Sequence, residues 1–419
     1  MDSGFPNTAF VIFSTGAFGG AEKRFLNLSS FLSQKHPHNI RLFINPLMES
    51  HIRRIFPAQT FDYIDVIGKT SERANETTDS SGPVQYNDNS PDPLILNEQV
   101  SLARKYYWYF KNKFKQKKLF YSIDALVKKY NVKVLIGIFA GGPPLVFYFE
   151  QPSRPAVIFS DMDSWFTDVL TDTEKLWYRK YYSFNSILEK ADAVDFLSPY
   201  IAEGVKKRGV KISEDKINIA PSSFIDYSKC LPGSKESFEF AFAARLEPDK
   251  NPMLYLEAAL IILKKYPDVK FHILGEGSLV SAVNEFISSN GPKEQINFTF
   301  HKNPPEIFSG TSVFVSLQSG TNYPSQSVIE AMACGNAVIA SNTGDTGLLI
   351  NSSNGVLVEL SVNSVVSAME KLITDRSLTK KLGDAGRDFV LQNHTIEKVS
   401  AYYTGLIKKV YSEHNRSQG

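Results

Sequence analysis

Short runs of apolar, β-branched and aromatic residues recur along this chain. Each leads through a tight, often glycine-bearing turn into a segment of helical period. Phe10-Val-Ile-Phe-Ser14 runs into Thr15-Gly-Ala-Phe-Gly-Gly20, a helix-period stretch to about Gln34, and then Ile40-Arg-Leu-Phe-Ile44. Runs without apolar/polar alternation read as strands buried on both faces, and a helix between two of them forces a parallel crossover. Val132–Ile138, Ala156–Phe159, Ala193–Ser198 and Ile217–Ser222 continue the series. A second series opens at Phe238-Glu-Phe-Ala-Phe-Ala243 and continues through Lys270–Leu274, Ser312–Ser316 and Ala337–Ala340, with helices expected from Asn251, Ser278 and Ser325 and again between 361 and 410. At 419 residues the chain exceeds one ordinary core, so two doubly wound α/β domains are expected. Residues 1–228 form the first, with a polar insertion over about 71–97. Residues 229–392 form the second, after the linker Lys229-Cys-Leu-Pro-Gly-Ser-Lys-Glu-Ser237, and 393–419 carry a last helix.

Composition removes several function classes. A net charge of +2 gives no global basic field, so nucleic acid is not an expected partner. No stretch approaches ~18 uninterrupted apolar residues, and Met1-Asp-Ser-Gly-Phe-Pro6 has no basic, apolar leader. The expected location is therefore cytoplasmic. The two cysteines, Cys230 and Cys334, make no disulfide framework, with Cys334 expected inside a helix. The seven histidines show no metal-ligand spacing.

Two segments carry the chemistry. Arg245-Leu-Glu-Pro-Asp-Lys250 follows the strand at 238–243, at the end of the sheet where doubly wound folds bind ligands. Its two cations are either solvated loop residues or a guanidinium fork and an ammonium suited to adjacent phosphate oxygens. Asn322-Tyr-Pro-Ser-Gln-Ser-Val-Ile-Glu330-Ala-Met-Ala-Cys-Gly335 places a carboxylate in the first turns of a helix, beside backbone N–H groups. Ala331, Met332 and Ala333 imply close packing, where an unpaired carboxylate is costly, so Glu330 is expected to serve a vicinal diol such as a ribose. Gly275-Glu-Gly277 lacks the third glycine of a dinucleotide fingerprint. It reads as a tight turn, a close approach of a nucleotide, or both. Gly344-Asp345-Thr346 is a further turn at a strand end, and Gly19-Gly20 is a sharp strand-to-helix connection.

In order and spacing, Gly19-Gly-Ala-Glu-Lys-Arg24, Arg245…Lys250, Leu274-Gly-Glu-Gly277, Asn322…Gly335 and Gly344-Asp-Thr346 resemble the retaining glycosyltransferases of family 4 (glycosyl transferases group 1). The resemblance runs from about residue 10 to about 410. It implies a GT-B architecture, two Rossmann-like domains facing across a cleft, with the last helix returning to the first domain. It also implies a nucleotide-diphosphate sugar donor held by Gly19, Gly20, Arg245, Lys250, Gly275, Gly277, Asn322, Tyr323, Pro324, Ser325, Gln326, Glu330, Gly344, Asp345 and Thr346. Arg245 and Lys250 would stabilise the leaving diphosphate, and no metal or other cofactor would be required. The chain departs from the family where a second Glu stands eight residues before Glu330: here that place is Asn322, which cannot be a carboxylate nucleophile or general base. It also departs at the end of the 156–159 strand, where the family often has a His and this chain has Ser160 and Asp161; Asp161 is the candidate to replace it in catalysis.

Asp161-Met-Asp163 has D-x-D spacing, but nothing else in the sequence supports a metal. Arg104-Lys-Tyr-Tyr-Trp-Tyr-Phe-Lys-Asn-Lys-Phe-Lys-Gln-Lys-Lys118 interleaves cations and aromatics. It reads as a solvated basic helix over a core stripe, a patch for an anionic membrane surface, or an acceptor groove. The expected activity is transfer of a sugar to a glycan or lipid-linked acceptor, in surface polysaccharide or lipopolysaccharide synthesis, with peripheral association at the inner membrane face. A non-catalytic nucleotide-sugar-binding protein and a nucleotide-sugar epimerase are the alternatives. The missing third glycine argues against a dehydrogenase.

Overall fold

The computed structural model describes residues 4–14, 20–57, 60–68, 102–161, 183–207, 209–220, 223–290, 292 and 294–418. The expected insertion at 71–97, Gly19 and Asp163 lie outside these residues. The chain divides into two compact units: Met1–Leu197 with Ile201–Ile219 and Tyr402–Gly419, and Ser198–Tyr200 with Ala220–Ala401.

The first unit holds β1 (Thr8–Phe13), β2 (Ile40–Ile44), β3 (Ile64–Val66), β4 (Val134–Phe139), β5 (Ala156–Asp161), β6 (Ala193–Phe196) and β7 (Ile217–Ile219). They form a parallel sheet in the order β3-β2-β1-β4-β5-β6-β7. β1 and β5 are buried along their whole length, as the unbroken apolar runs require. The C-terminal helix Ile396–Gln418 contributes its part from Tyr402 onward to this unit. What anchors that part is a buried carboxylate. Asp195 on β6 accepts the hydroxyls of Tyr402, Tyr403 (2.7 Å) and Ser160 (2.8 Å). Burial pushes its carboxyl upward, opposed by those donors and the Arg24 charge. Further along, His414 lies 3.0 Å from the Arg154 carbonyl, and Arg154 forks onto Asp192 at 2.6 and 2.9 Å.

The second unit holds β8 (Glu239–Ala243), β9 (Lys270–Leu274), β10 (Ile296–Thr299), β11 (Val313–Ser316), β12 (Ala337–Ser341) and β13 (Gly355–Val358). Its parallel order is β10-β9-β8-β11-β12-β13. Alternate residues of each strand face opposite layers. Phe240, Phe242, Phe271, Val313, Val315 and Ile339 pack with the helices Pro252–Lys265, Val280–Asn290 and Val362–Thr374. Phe240 stacks on Phe271 with centroids 5.1 Å apart. Ala241, Ala243, Phe314, Val338 and Ala340 face the helices Gln326–Ala333 and Arg376–Asn393. The alanines on that side let the helix carrying Glu330 lie close to the sheet.

Cys334 is the C-cap of that helix rather than an interior residue, and both cysteines are free and buried. Nearby, Lys235 donates to the Gly335 carbonyl at 2.5 Å, and burial lowers its amine to about 8. Between pH 8 and the ordinary lysine range near ~10.4 the unfolded chain therefore binds more protons than the folded one, and stability rises with pH. Lys235→Met should remove that rise. In denaturation series from pH 7.5 to 9.5, chosen to straddle about 8, the wild type is expected to gain on the variant as pH increases. Parallel curves would contradict the assignment.

Candidate functional site

In a parallel sheet of this order the strand sequence reverses between β8 and β11, and the crevice outside their carboxyl ends is the ligand position of doubly wound folds. The loops leaving those two strands are knitted together. Ser319 N–H donates to the Asp249 carbonyl at 2.9 Å. Asn251 Nδ2 donates to the Leu317 carbonyl (2.7 Å) and to Ser319 Oγ (2.9 Å). Lys250 Nζ donates to Gln318 Oε1 at 2.7 Å and pairs with Asp249 at 2.9 Å. Arg245, on the same loop, is exposed.

The β11 loop is tied in turn to β12. Ser341 Oγ and Thr343 Oγ1 donate to the Gln318 carbonyl at 2.7 and 2.9 Å. Asn322 is fully buried. Its Oδ1 accepts from Ser316 Oγ (2.6 Å), and its Nδ2 reaches the Ser341 carbonyl (3.2 Å), Ser341 Oγ (2.9 Å) and Thr346 Oγ1 (3.1 Å). Thr346 Oγ1 also accepts the Asn322 N–H at 2.9 Å. Tyr323 N–H donates to Thr321 Oγ1 (3.1 Å), and Ser325 N–H to the Asn322 carbonyl (2.8 Å).

Ser325 then starts the helix Gln326–Ala333 without capping it through its side chain. The N–H groups of Gln326, Ser327 and Val328 have no acceptor within the helix, as at any helix start. They and the helix dipole present partial positive charge beside the β8 and β11 loops. Glu330, one turn in, is 8% exposed, so little of it meets solvent. The Gln326 amide donates to the Phe224 carbonyl at 3.0 Å, which fixes that side chain at the helix start.

Residues 227–389 match the family model described as glycosyl transferases group 1. This part of the chain is a glycosyl transferases group 1 domain. Over 156 residues, 36% of this chain, it is 31% identical to the Escherichia coli UDP-Gal:alpha-D-GlcNAc-diphosphoundecaprenol alpha-1,3-galactosyltransferase, of which 40% is covered. Over 168 residues, 39% of this chain, it is 25% identical to the poly(ribitol-phosphate) alpha-N-acetylglucosaminyltransferase of Staphylococcus aureus (strain COL), of which 34% is covered. The chain thus spans less than half the length of these curated relatives. Among solved structures, the sucrose-phosphate synthase of Thermosynechococcus elongatus superposes with a TM-score of 0.70 at 15% identity, covering 97% of this chain and 99% of that one. That likeness, at low identity, is one of fold: the chain has the GT-B fold.

Within the group 1 domain the expected site residues separate into two classes. Arg245, Lys250, Ser325, Gln326 and Glu330 surround the carboxyl ends of β8 and β11 and the helix start. Asn322 and Thr346 are fully buried and build the loops rather than line a surface, while Tyr323, like Glu330, is 8% exposed. Asp345 takes the Tyr200 N–H at 2.6 Å and gives its own N–H to Thr321 Oγ1 at 3.1 Å. Gly344 adopts a left-handed φ of 52°, where a Cβ would meet the Gly320 carbonyl oxygen at 2.6 Å. Pro324 follows Tyr323 in the turn before the helix. Outside the group 1 domain, Gly20 begins the helix Gly20–Lys35 of the first unit, and Asp161 ends β5, fully buried. Sequence reasoning passed over Gln318, which holds Lys250 directly, and Ser341 and Thr343, which act on it through the Gln318 carbonyl. A cluster of hydroxyl and amide residues at two strand ends is the only signal they leave.

The glycine turn is explained by protein packing alone. A Cβ on Gly275 would sit 2.0 Å from the Ala244 carbonyl oxygen, and one on Gly277 2.5 Å from that of Leu246. Leu246 N–H donates to the Glu276 carbonyl at 2.8 Å, so this turn braces the loop carrying Arg245 and Lys250. Gly275→Ala is therefore expected to cost about 1–3 kcal/mol in denaturant unfolding and to displace that loop. Gly320→Ala, where a Cβ meets nothing within 4 Å, should stay within about 0.5 kcal/mol. Equal behaviour of the two variants would refute the packing account.

Proposed function

We propose that this chain is a retaining glycosyltransferase that moves a sugar from a nucleotide-diphosphate sugar to a glycan or lipid-linked acceptor, in cytoplasmic synthesis of a surface polysaccharide or glycolipid. The observation that carries it is the Lys250 ammonium, held at 2.7 Å by Gln318 and 2.9 Å by Asp249 at the sheet's reversal point. Its loop is tied through Gln318 and Ser319 to the loop that leads into the helix bearing Glu330, whose first N–H groups are open. An ammonium, the exposed Arg245 guanidinium and a helix N-terminus suit a diphosphate, and a recessed carboxylate suits ribose hydroxyls. The activity of the similar Escherichia coli galactosyltransferase supports a nucleotide-sugar donor, and those of the two similar transferases support acceptors of the lipid-diphosphate or polyol-phosphate kind.

Double displacement through Asn322 is unavailable, because a carboxamide is no nucleophile and this one is buried and engaged. Retention then follows from attack on the donor's leaving face. The acceptor oxygen bonds to the anomeric carbon as the bond from that carbon to the phosphate oxygen breaks. The acceptor's proton passes to the departing diphosphate. Arg245 and Lys250 stabilise the charge that develops there, the task for which a preorganised cation is most effective.

A thermal-shift series with UDP-, GDP-, ADP- and TDP-sugars tests the donor site, since a ligand of the folded state raises the melting temperature with occupancy. One nucleotide class is expected to raise it, with Lys250→Ala and Glu330→Gln each weakening that ligand by ~10-fold or more, about 1.4 kcal/mol. No rise with any donor would overturn the reading. Because the cations are expected to neutralise the diphosphate unaided, EDTA should leave transfer rates unchanged; a chelator-sensitive rate would overturn the metal-independent step.

A further inference from the structure

The helix Leu102–Lys129 presents two opposite faces that no donor site uses. Its inner face carries Phe120, Ile123 and Val127, all buried. Phe120 meets the rings of Tyr148 at 4.8 Å and Phe147 at 5.5 Å, which fixes the helix to the segment Pro143–Glu150 of the same unit. Its outer face carries four large aromatics in the open: Tyr107 is 61% exposed, Phe110 62%, Phe114 74% and Tyr121 58%. At about 100° per residue these four fall within an arc of roughly 60°, nearly opposite the buried face, along about 21 Å of helix. Lys111, Lys115 and Lys118 border the arc on one side, Lys113 and Lys117 on the other, and all five are exposed. Lys117 stands 5.9 Å from the Tyr121 ring centroid.

Scattered exposed apolar residues need no explanation, but an aligned aromatic stripe between two rows of one charge does. We infer that this face lies on the surface of an anionic lipid bilayer, the aromatic rings at the headgroup level and the lysines paired with acidic headgroups. The geometry is that of an interfacial helix: apolar stripe inward, cations at its margins with aliphatic stems that follow the rings. No helix of the described residues is long and apolar enough to cross a membrane, so this surface rests on the bilayer rather than spanning it. A second copy of the chain is a poor occupant. The helix has a single acidic residue, Asp124, which pairs with Lys128 at 2.7 Å, so two such faces would set rows of like charge, ten lysines in all, against one another.

The inference is independent of the sugar-transfer reading, and its test uses the full chain. Co-sedimentation is measured with vesicles of phosphatidylglycerol mixed into phosphatidylcholine, and with phosphatidylcholine alone. Binding is expected only to the anionic vesicles and should fall as salt is raised. Phe110→Ser with Phe114→Ser should release the protein. Lys111→Gln, Lys115→Gln and Lys118→Gln together should lower partitioning about 100-fold, at about 5-fold per lysine. Both variants change only exposed positions, so their melting temperatures and nucleotide-sugar shifts should match the wild type. Equal sedimentation with and without anionic lipid, or variants that bind as before, would overturn the inference. So would light scattering showing a dimer that Phe110→Ser with Phe114→Ser dissolves, which would assign the face to a second copy.

Discussion

The candidate site depends on one buried carboxamide. Asn322 both accepts and donates: Oδ1 takes the Ser316 hydroxyl, while Nδ2 gives to Ser341 and Thr346. It thereby locks the end of β11 to the end of β12. Ser341 and Thr343 fix the Gln318 carbonyl, and the Gln318 side chain holds Lys250. The position of the Lys250 ammonium is thus set by hydrogen bonds two residues removed from it. Inside a protein such bonds are strong, and leaving any one partner unmade is costly, so the loops have little freedom to drift.

The same economy explains why the helix Gln326–Ala333 starts where it does. Its sheet-facing neighbours are Ala241, Ala243 and Ala340, and its own inner residues include Ala331 and Ala333. Small side chains on both surfaces bring helix and sheet close. Glu330, on the same helix, is then recessed to 8% exposure. Larger residues would lift the helix and carry its open N–H groups away from the β8 loop.

Much of this was legible in the sequence. The interior strands β1, β4, β5, β8, β9, β11 and β12 announce themselves as apolar runs, because a parallel strand buried on both faces has no reason to alternate. Of the edge strands, β7 was read from Ile217 onward, and β3, β10 and β13 were missed. β3, β10 and β13 are only three or four residues long and partly exposed, and Ile-Asp-Val or Ile-Asn-Phe-Thr carries no period to read. At the site, Arg245, Lys250 and Glu330 were visible because charge at a strand end or inside an Ala-rich helix is locally anomalous. The tether from Ser341 through Gln318 to Lys250 was not, since its members lie on three loops that only the folded sheet brings together.

Asn322 also shows where a motif-level comparison misleads. Set against the resembled family's pattern, an Asn in place of a Glu reads as a lost carboxylate. In the folded domain the position faces the Ser341 carbonyl oxygen at 3.2 Å, which needs a donor. A carboxylate there would meet an acceptor with an acceptor, at zero exposure, and one carbon longer than the space provides. The residue is fitted to a structural task, and any contact to a donor sugar must come from groups the loop presents outward. The N–H groups at the helix start are left open.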